Sequence, residues 1–151
     1  MQFSKFIATC FGIGYIQKGA GTFAALFCCL LWYVFGGAQA GVAFQLILVG
    51  CLFFAGVYTA TVVEKEWGHD SNRVVIDEVH GMLVSLFLLP SGWQYLLAAF
   101  VLFRFFDIAK PLGVKKMENF RSGWGVMLDD VLAGLYSNVL LQIAVKSHLL
   151  S

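Results

Sequence analysis

Between Lys18 and Glu64 this chain carries no charged residue, and the same holds from Val79 to Phe103 and from Val131 to Val145. Stretches of that kind must be buried in a large core or in lipid, and a 151-residue chain cannot build so large a core. Hydrophobic residues are 60% of the total and charged ones 13%, against roughly half and a quarter in soluble domains. Disorder, a coiled coil, collagen and a secreted disulfide scaffold are excluded on composition. A net charge of +1 leaves no basic stripe for nucleic acid. The expectation is an all-α, polytopic membrane bundle forming one domain over residues 1–151.

Apart from Lys5, Lys18 and Lys146, the charges fall in two groups. The first runs Glu64, Lys65, Glu66, Asp70, Arg73, Asp77 and Glu78; the second runs Arg104, Asp107, Lys110, Lys115, Lys116, Glu118, Arg121, Asp129 and Asp130. The gaps predict about five helices, over 21–35, 41–63, 76–89, 93–106 and 128–145. With the N-terminus in the cytoplasm, every Lys and Arg except Lys146 lies inside, as the positive-inside rule requires. Residues 64–75 and 107–127 are then cytoplasmic and 36–40 periplasmic. Cys28, Cys29 and Cys51 sit in apolar runs and read as small hydrophobes, with no disulfide framework. The apolar run before Cys10 is too short for a signal peptide, so the N-terminus is expected to be retained.

A spanning helix needs about 20 residues. Only 41–63 meets that comfortably. At 1.5 Å per residue, Asp77, Asp107 and Asp130 stand roughly 20–24 Å from the far ends of their helices. That places them at similar heights, several Å below the inner surface. Carboxylates at that depth are costly and face a partner or a wet cavity. The expected site is therefore a carboxylate-lined pocket at the cytoplasmic face.

Asp77, Glu78, Asp107, Asp129 and Asp130 would repel one another unless a cation neutralised them, and oxygen-only ligands suit Mg²⁺. Two structural alternatives stand beside this: Asp129 and Asp130 could cap the last helix, and Asp107 could pair with Arg104 or Lys110. Arg104 and Lys110 lie three residues either side of Asp107, and with Lys18 could bind phosphate. The glycine-rich run from Gly12 to Thr22 could bind the same phosphate through backbone NH groups at Gly21 and through Thr22, which could also cap the next helix. It is neither a dinucleotide fingerprint nor a P-loop. Lys115, Lys116 and Arg121 read as snorkelling or lipid-surface cations. Phosphocysteine, phosphohistidine and Asp-x-Asp phosphatases lack their motifs here, which leaves metal-assisted attack by water or by an aspartate.

Three blocks carry a resemblance: Gly14 to Thr22; Ile76-Asp77-Glu78-Val79-His80-Gly81-Met82; and Phe103-Arg104-Phe105-Phe106-Asp107-Ile108-Ala109-Lys110-Pro111 followed by Gly123-Trp124-Gly125-Val126-Met127-Leu128-Asp129-Asp130-Val131-Leu132-Ala133-Gly134. In these the chain resembles the phosphatidylglycerophosphatase A family over nearly its whole length. Gln17 and Ala20 stand where that family usually has proline, Ala24-Ala25 replaces Gly-Ser, and Gly113 replaces a proline. The resemblance implies a Mg²⁺-dependent lipid phosphatase of the bacterial inner membrane, with its active site facing the cytoplasm. Its substrate would be phosphatidylglycerophosphate, cleaved to phosphatidylglycerol and phosphate. The rival class is a small cation transporter or channel lined by the same acids. Against it, the acids share one face and nothing polar is expected to continue through the outer halves of the helices.

Overall fold

The computed structural model describes residues 1–149 except Asp70, Leu112, Glu118 and Asn119; the charges at Asp70 and Glu118, and the side chains of Lys115 and Lys116, lie outside the described residues. Every regular element described is helical. The order is α1 (Gln2–Ala8), a 3₁₀ turn at Ile13–Tyr15, α2 (Ala20–Val34), a second 3₁₀ turn at Gly37–Gln39, α3 (Val42–Trp67), α4 (Ile76–Leu86), α5 (Trp93–Ala109), α6 (Val114–Met117) and α7 (Gly123–Lys146). The five long helices correspond to the five expected ones. Short α1 and α6 are additional, because neither has the long apolar run by which the others are recognised.

Among the described residues, only α3 and α7 form helices long and apolar enough to cross a bilayer. Their 26 and 24 residues span about 39 and 36 Å. The outward faces of the helices carry Phe23, Leu30, Ile47, Phe54, Leu97, Val101, Val139 and Ile143, all exposed. So continuous an apolar exterior suits lipid rather than water.

Helix α4 is the axis of the bundle and packs against α2, α3, α5 and α7. Nearly all of its 11 residues are buried. At about 17 Å it is too short to cross a bilayer, and the carbonyls at its buried end need partners. Neighbouring helices supply the missing partners. Asn138 Nδ2 donates to the Ser85 and Phe87 carbonyls at 3.0 and 2.7 Å, and Gln142 Nε2 donates to those of Phe87 and Leu88 at 3.2 Å each. The Leu88 NH donates to Gln45 Oε1 at 3.1 Å. The outer halves of α3 and α7 therefore do carry polar side chains, contrary to the sequence-based picture. Those side chains are committed to the broken end of α4 and do not line an ion path.

The start of α4 is held from the other side. The Val75 NH donates to the Ala8 carbonyl at 2.9 Å, and Gly14 lies so close to the Arg73 carbonyl that a Cβ there would collide with it. The N-terminal segment is thus a clamp on the residues leading into Asp77. Buried apolar side chains form two clusters, one reaching Ile76 and Met127, the other Met82 and Ala133. On α4 and α7 the acidic residues stand between them.

Candidate metal and phosphate site

Asp77 and Glu78 occupy the first turn of α4, and Asp130 lies in α7 beside them. Each of the three offers a carboxylate oxygen within 4.8 Å of the others. Asp77 is 9% exposed and Asp130 3%, so in this structure the acids form a packed layer. The Asp107 charge acts on both Glu78 and Asp130, and the Asp129 charge on Asp77 and Asp130. The fold therefore brings together all five carboxylates singled out in the sequence. Three form the inner group and two flank it.

The inner acids can meet because the backbones that carry them touch. A Cβ on Gly134 would collide with the Gly81 carbonyl, and one on Gly81 would lie 2.7 Å from the Asp130 carbonyl. Small residues at a crossing allow helices in lipid to approach this closely. Gly21 does the same on α2, where a Cβ would strike Glu78 Oε1. Gly21 was expected to present its NH to phosphate; here its missing side chain makes room for a carboxylate.

The two flanking acids hold the cations. Arg104 Nη1 donates to Asp107 Oδ2 at 2.5 Å, one helical turn away, and Lys110 Nζ donates to Asp129 Oδ2 at 2.6 Å across to α7. Lys110 does not share a helix face with Asp107. It takes a left-handed conformation at φ 44° that ends α5 just before Pro111, and this turn carries it towards α7. Pairing of Asp107 with Arg104, one of the structural alternatives, is thus realised.

Capping of α7 by its acids is not. The helix begins at Gly123 instead of residue 128, which leaves Asp129 and Asp130 in its second turn. The Gly123 NH is satisfied at 3.2 Å by Thr61 Oγ1 of α3, a partner that no local pattern reveals. Thr22 is no cap either, since α2 starts at Ala20 and its N-cap is Gly19, without a side-chain hydrogen bond. Lys18 is exposed in the turn before α2 and has no ion pair among the described residues.

A cation fits this donor set on structural grounds. Asp77 Oδ1 and Glu78 Oε2 are buried without a hydrogen-bond partner. Two carboxylate oxygens left bare in an apolar interior need a compensating positive charge. Arg104 Nε is likewise buried and unpartnered, so the site also holds an unspent donor suited to an anion. His80, one turn after Asp77, donates its Nε2–H to the Val49 carbonyl, 3.1 Å away. Cys10 lies nearby but is no nucleophile: burial, reinforced by the Glu78 charge, pushes its thiol up to about 12.

The profile of the phosphatidylglycerophosphatase A family matches residues 6–145. A Bacteroides thetaiotaomicron protein named "Putative phosphatidylinositol-3-phosphatase" is 44% identical over 144 residues, covering 91% of each chain. Phosphatidylglycerophosphatase A of Haemophilus influenzae is 38% identical over 87% of this chain and 82% of its own. The Escherichia coli protein of the same name is 33% identical over 87% of this chain and 77% of its own. No solved structure matches this chain.

Proposed function

The chain belongs to the phosphatidylglycerophosphatase A family, and on that premise we propose that it hydrolyses phosphatidylglycerophosphate to phosphatidylglycerol and inorganic phosphate. It is a phosphoric monoester hydrolase. The proposal extends to Mg²⁺ as the cation, to the bacterial inner membrane as its location and to a site facing the cytoplasm.

The observation that carries this reading is the coexistence of bare acceptors and a bare donor in one buried layer. Asp77, Glu78 and Asp130 would hold the metal, with Asp107 and Asp129 beside them. Bound there, Mg²⁺ would neutralise the acids and polarise a phosphoryl oxygen. Arg104 offers its unpartnered Nε–H to the phosphate, and Lys110 adds a point charge. Asp107 and Asp129 keep those two cations extended and oriented, so that little ordering is left for the moment of binding. As charge builds on the phosphoryl oxygens in the transition state, these fixed cations stabilise it without reorganising. One carboxylate would orient the attacking water and take its proton, and that proton would pass to the glycerol oxygen as its bond to phosphorus breaks, releasing the alcohol and inorganic phosphate. The surrounding apolar clusters exclude other water and strengthen each of these interactions.

A second substrate is favoured by one finding, the 44% identity to a relative whose name specifies phosphatidylinositol 3-phosphate. Phosphate release by the purified protein from the two lipids, with phosphatidic acid as a third, separates the readings. The expected result is kcat/KM for phosphatidylglycerophosphate exceeding the others by about tenfold or more, ~1.4 kcal/mol. A preference for phosphatidylinositol 3-phosphate would transfer the assignment to that lipid.

A further inference from the structure

An apolar groove of about 370 Å³ runs along the outside of the bundle between α3, α4 and α7. Gly50 and Phe53 form one wall, Val84 the floor, and Leu128, Val131 and Leu135 the other wall. Its polar members are largely engaged within the protein: His80 donates its Nε2–H to the Val49 carbonyl, leaving Nδ1 buried without a partner, and Asn138 holds the carbonyls of Ser85 and Phe87. Apart from that nitrogen, what the groove offers a ligand is hydrocarbon.

No carboxylate lines the groove, but on both α4 and α7 its near end lies within one turn of the carboxylate site. Leu128 and Val131 bracket Asp129 and Asp130 on α7, while His80 stands one turn beyond Asp77 on α4. From Leu128 to Asn138 it follows α7 for ten residues, roughly 15 Å, away from the acids. A charged end beside an apolar trough is the complement of an amphiphile with a phosphate head and an alkyl tail. Gly50 adds an independent mark, because a Cβ there would meet nothing within 4 Å. Glycine is a poorer helix former than alanine, and at Gly50 no neighbouring atom requires it.

We propose that this groove is the acyl-chain subsite of the phosphatase, seating one fatty-acyl chain of the lipid whose phosphate lies among the carboxylates. The assignment rests on the phosphatase reading and adds to it the means by which the enzyme selects a membrane lipid over a soluble phosphate ester. Orientation follows as well: with one chain held, the headgroup can reach the acids only from the α4–α7 side.

Gly50→Phe tests the proposal, since the new ring enters open space and its fold should survive. Phosphate release is measured in detergent micelles from long-chain phosphatidylglycerophosphate and from a dibutanoyl analogue. The expected result is a KM for the long-chain lipid raised about tenfold, with the dibutanoyl substrate turned over as by wild type and Gly50→Ala behaving as wild type. Unchanged kinetics on both substrates, or equal losses on both, would overturn it. If the wild-type protein releases no phosphate from either substrate, the phosphatase reading fails instead. The groove is then judged with a phospholipid bearing a diazirine on its acyl chain: labelling of α3 or α7 that Gly50→Phe abolishes upholds the subsite, and labelling unaffected by the substitution refutes it.

Discussion

Arg104 stands between two tasks, bonded to Asp107 through Nη1 while its Nε–H has no partner in a buried site. Only a planar fork can serve a carboxylate and a phosphate together; an ammonium on a flexible stem cannot. Arg104→Lys should lower kcat/KM by at least ~10-fold, ~1.4 kcal/mol, in a steady-state assay. Gly21 acts by the side chain it lacks. Gly21→Ala should leave the thermal midpoint almost unchanged, because Glu78 can swing aside, yet raise the Mg²⁺ needed for half-maximal activity by roughly tenfold. At this scale the acids were legible in the sequence, since a carboxylate at membrane depth demands a reason. The split into three inner and two cation-bound acids was not. It depends on the left-handed turn at Lys110, whose outcome spacing does not encode.

Among the elements, the α4–α7 crossing decides the geometry of the site. The Gly81 carbonyl abuts Gly134, so any side chain there presses on backbone, which cannot rotate away as a side-chain tip can. Gly134→Val should therefore cost about 1–3 kcal/mol and lower the melting temperature by several degrees, read by thermal unfolding in detergent. It should also reduce activity by moving Asp130 from Asp77. Helix existence was readable from the charge-free runs, but helix ends were less so. Helix α4 stops at Leu86 because Asn138, Gln142 and Gln45 receive its broken end, and α7 starts early because Thr61 meets Gly123. Both causes are contacts between residues distant in sequence.

For the molecule as a whole, the one-sided charge pattern predicts that Arg121 faces the cytoplasm and Gln39 the periplasm. In intact cells, on a background without native cysteines, a membrane-impermeant maleimide should modify Gln39→Cys and spare Arg121→Cys. The reverse pattern would invert the topology and put the acids on the wrong side for a cytoplasmic substrate. An apolar exterior and a buried acidic layer are the two properties that unite the chain, and composition announced the first of them. The identity of the headgroup came from the family resemblance and was not readable from charge or periodicity.

Phosphate release should depend on a divalent cation held by the buried carboxylates. That dependence is tested most directly by titrating Mg²⁺ into metal-free wild-type protein and Asp130→Asn while following phosphate release from phosphatidylglycerophosphate. The amide preserves size and removes one charge of the inner group. The account predicts saturable activation of the wild type and, for the variant, a loss of ~100-fold or more that excess Mg²⁺ only partly restores. Equal activity of the two proteins at every Mg²⁺ concentration, or full activity of the metal-free wild type, would contradict it.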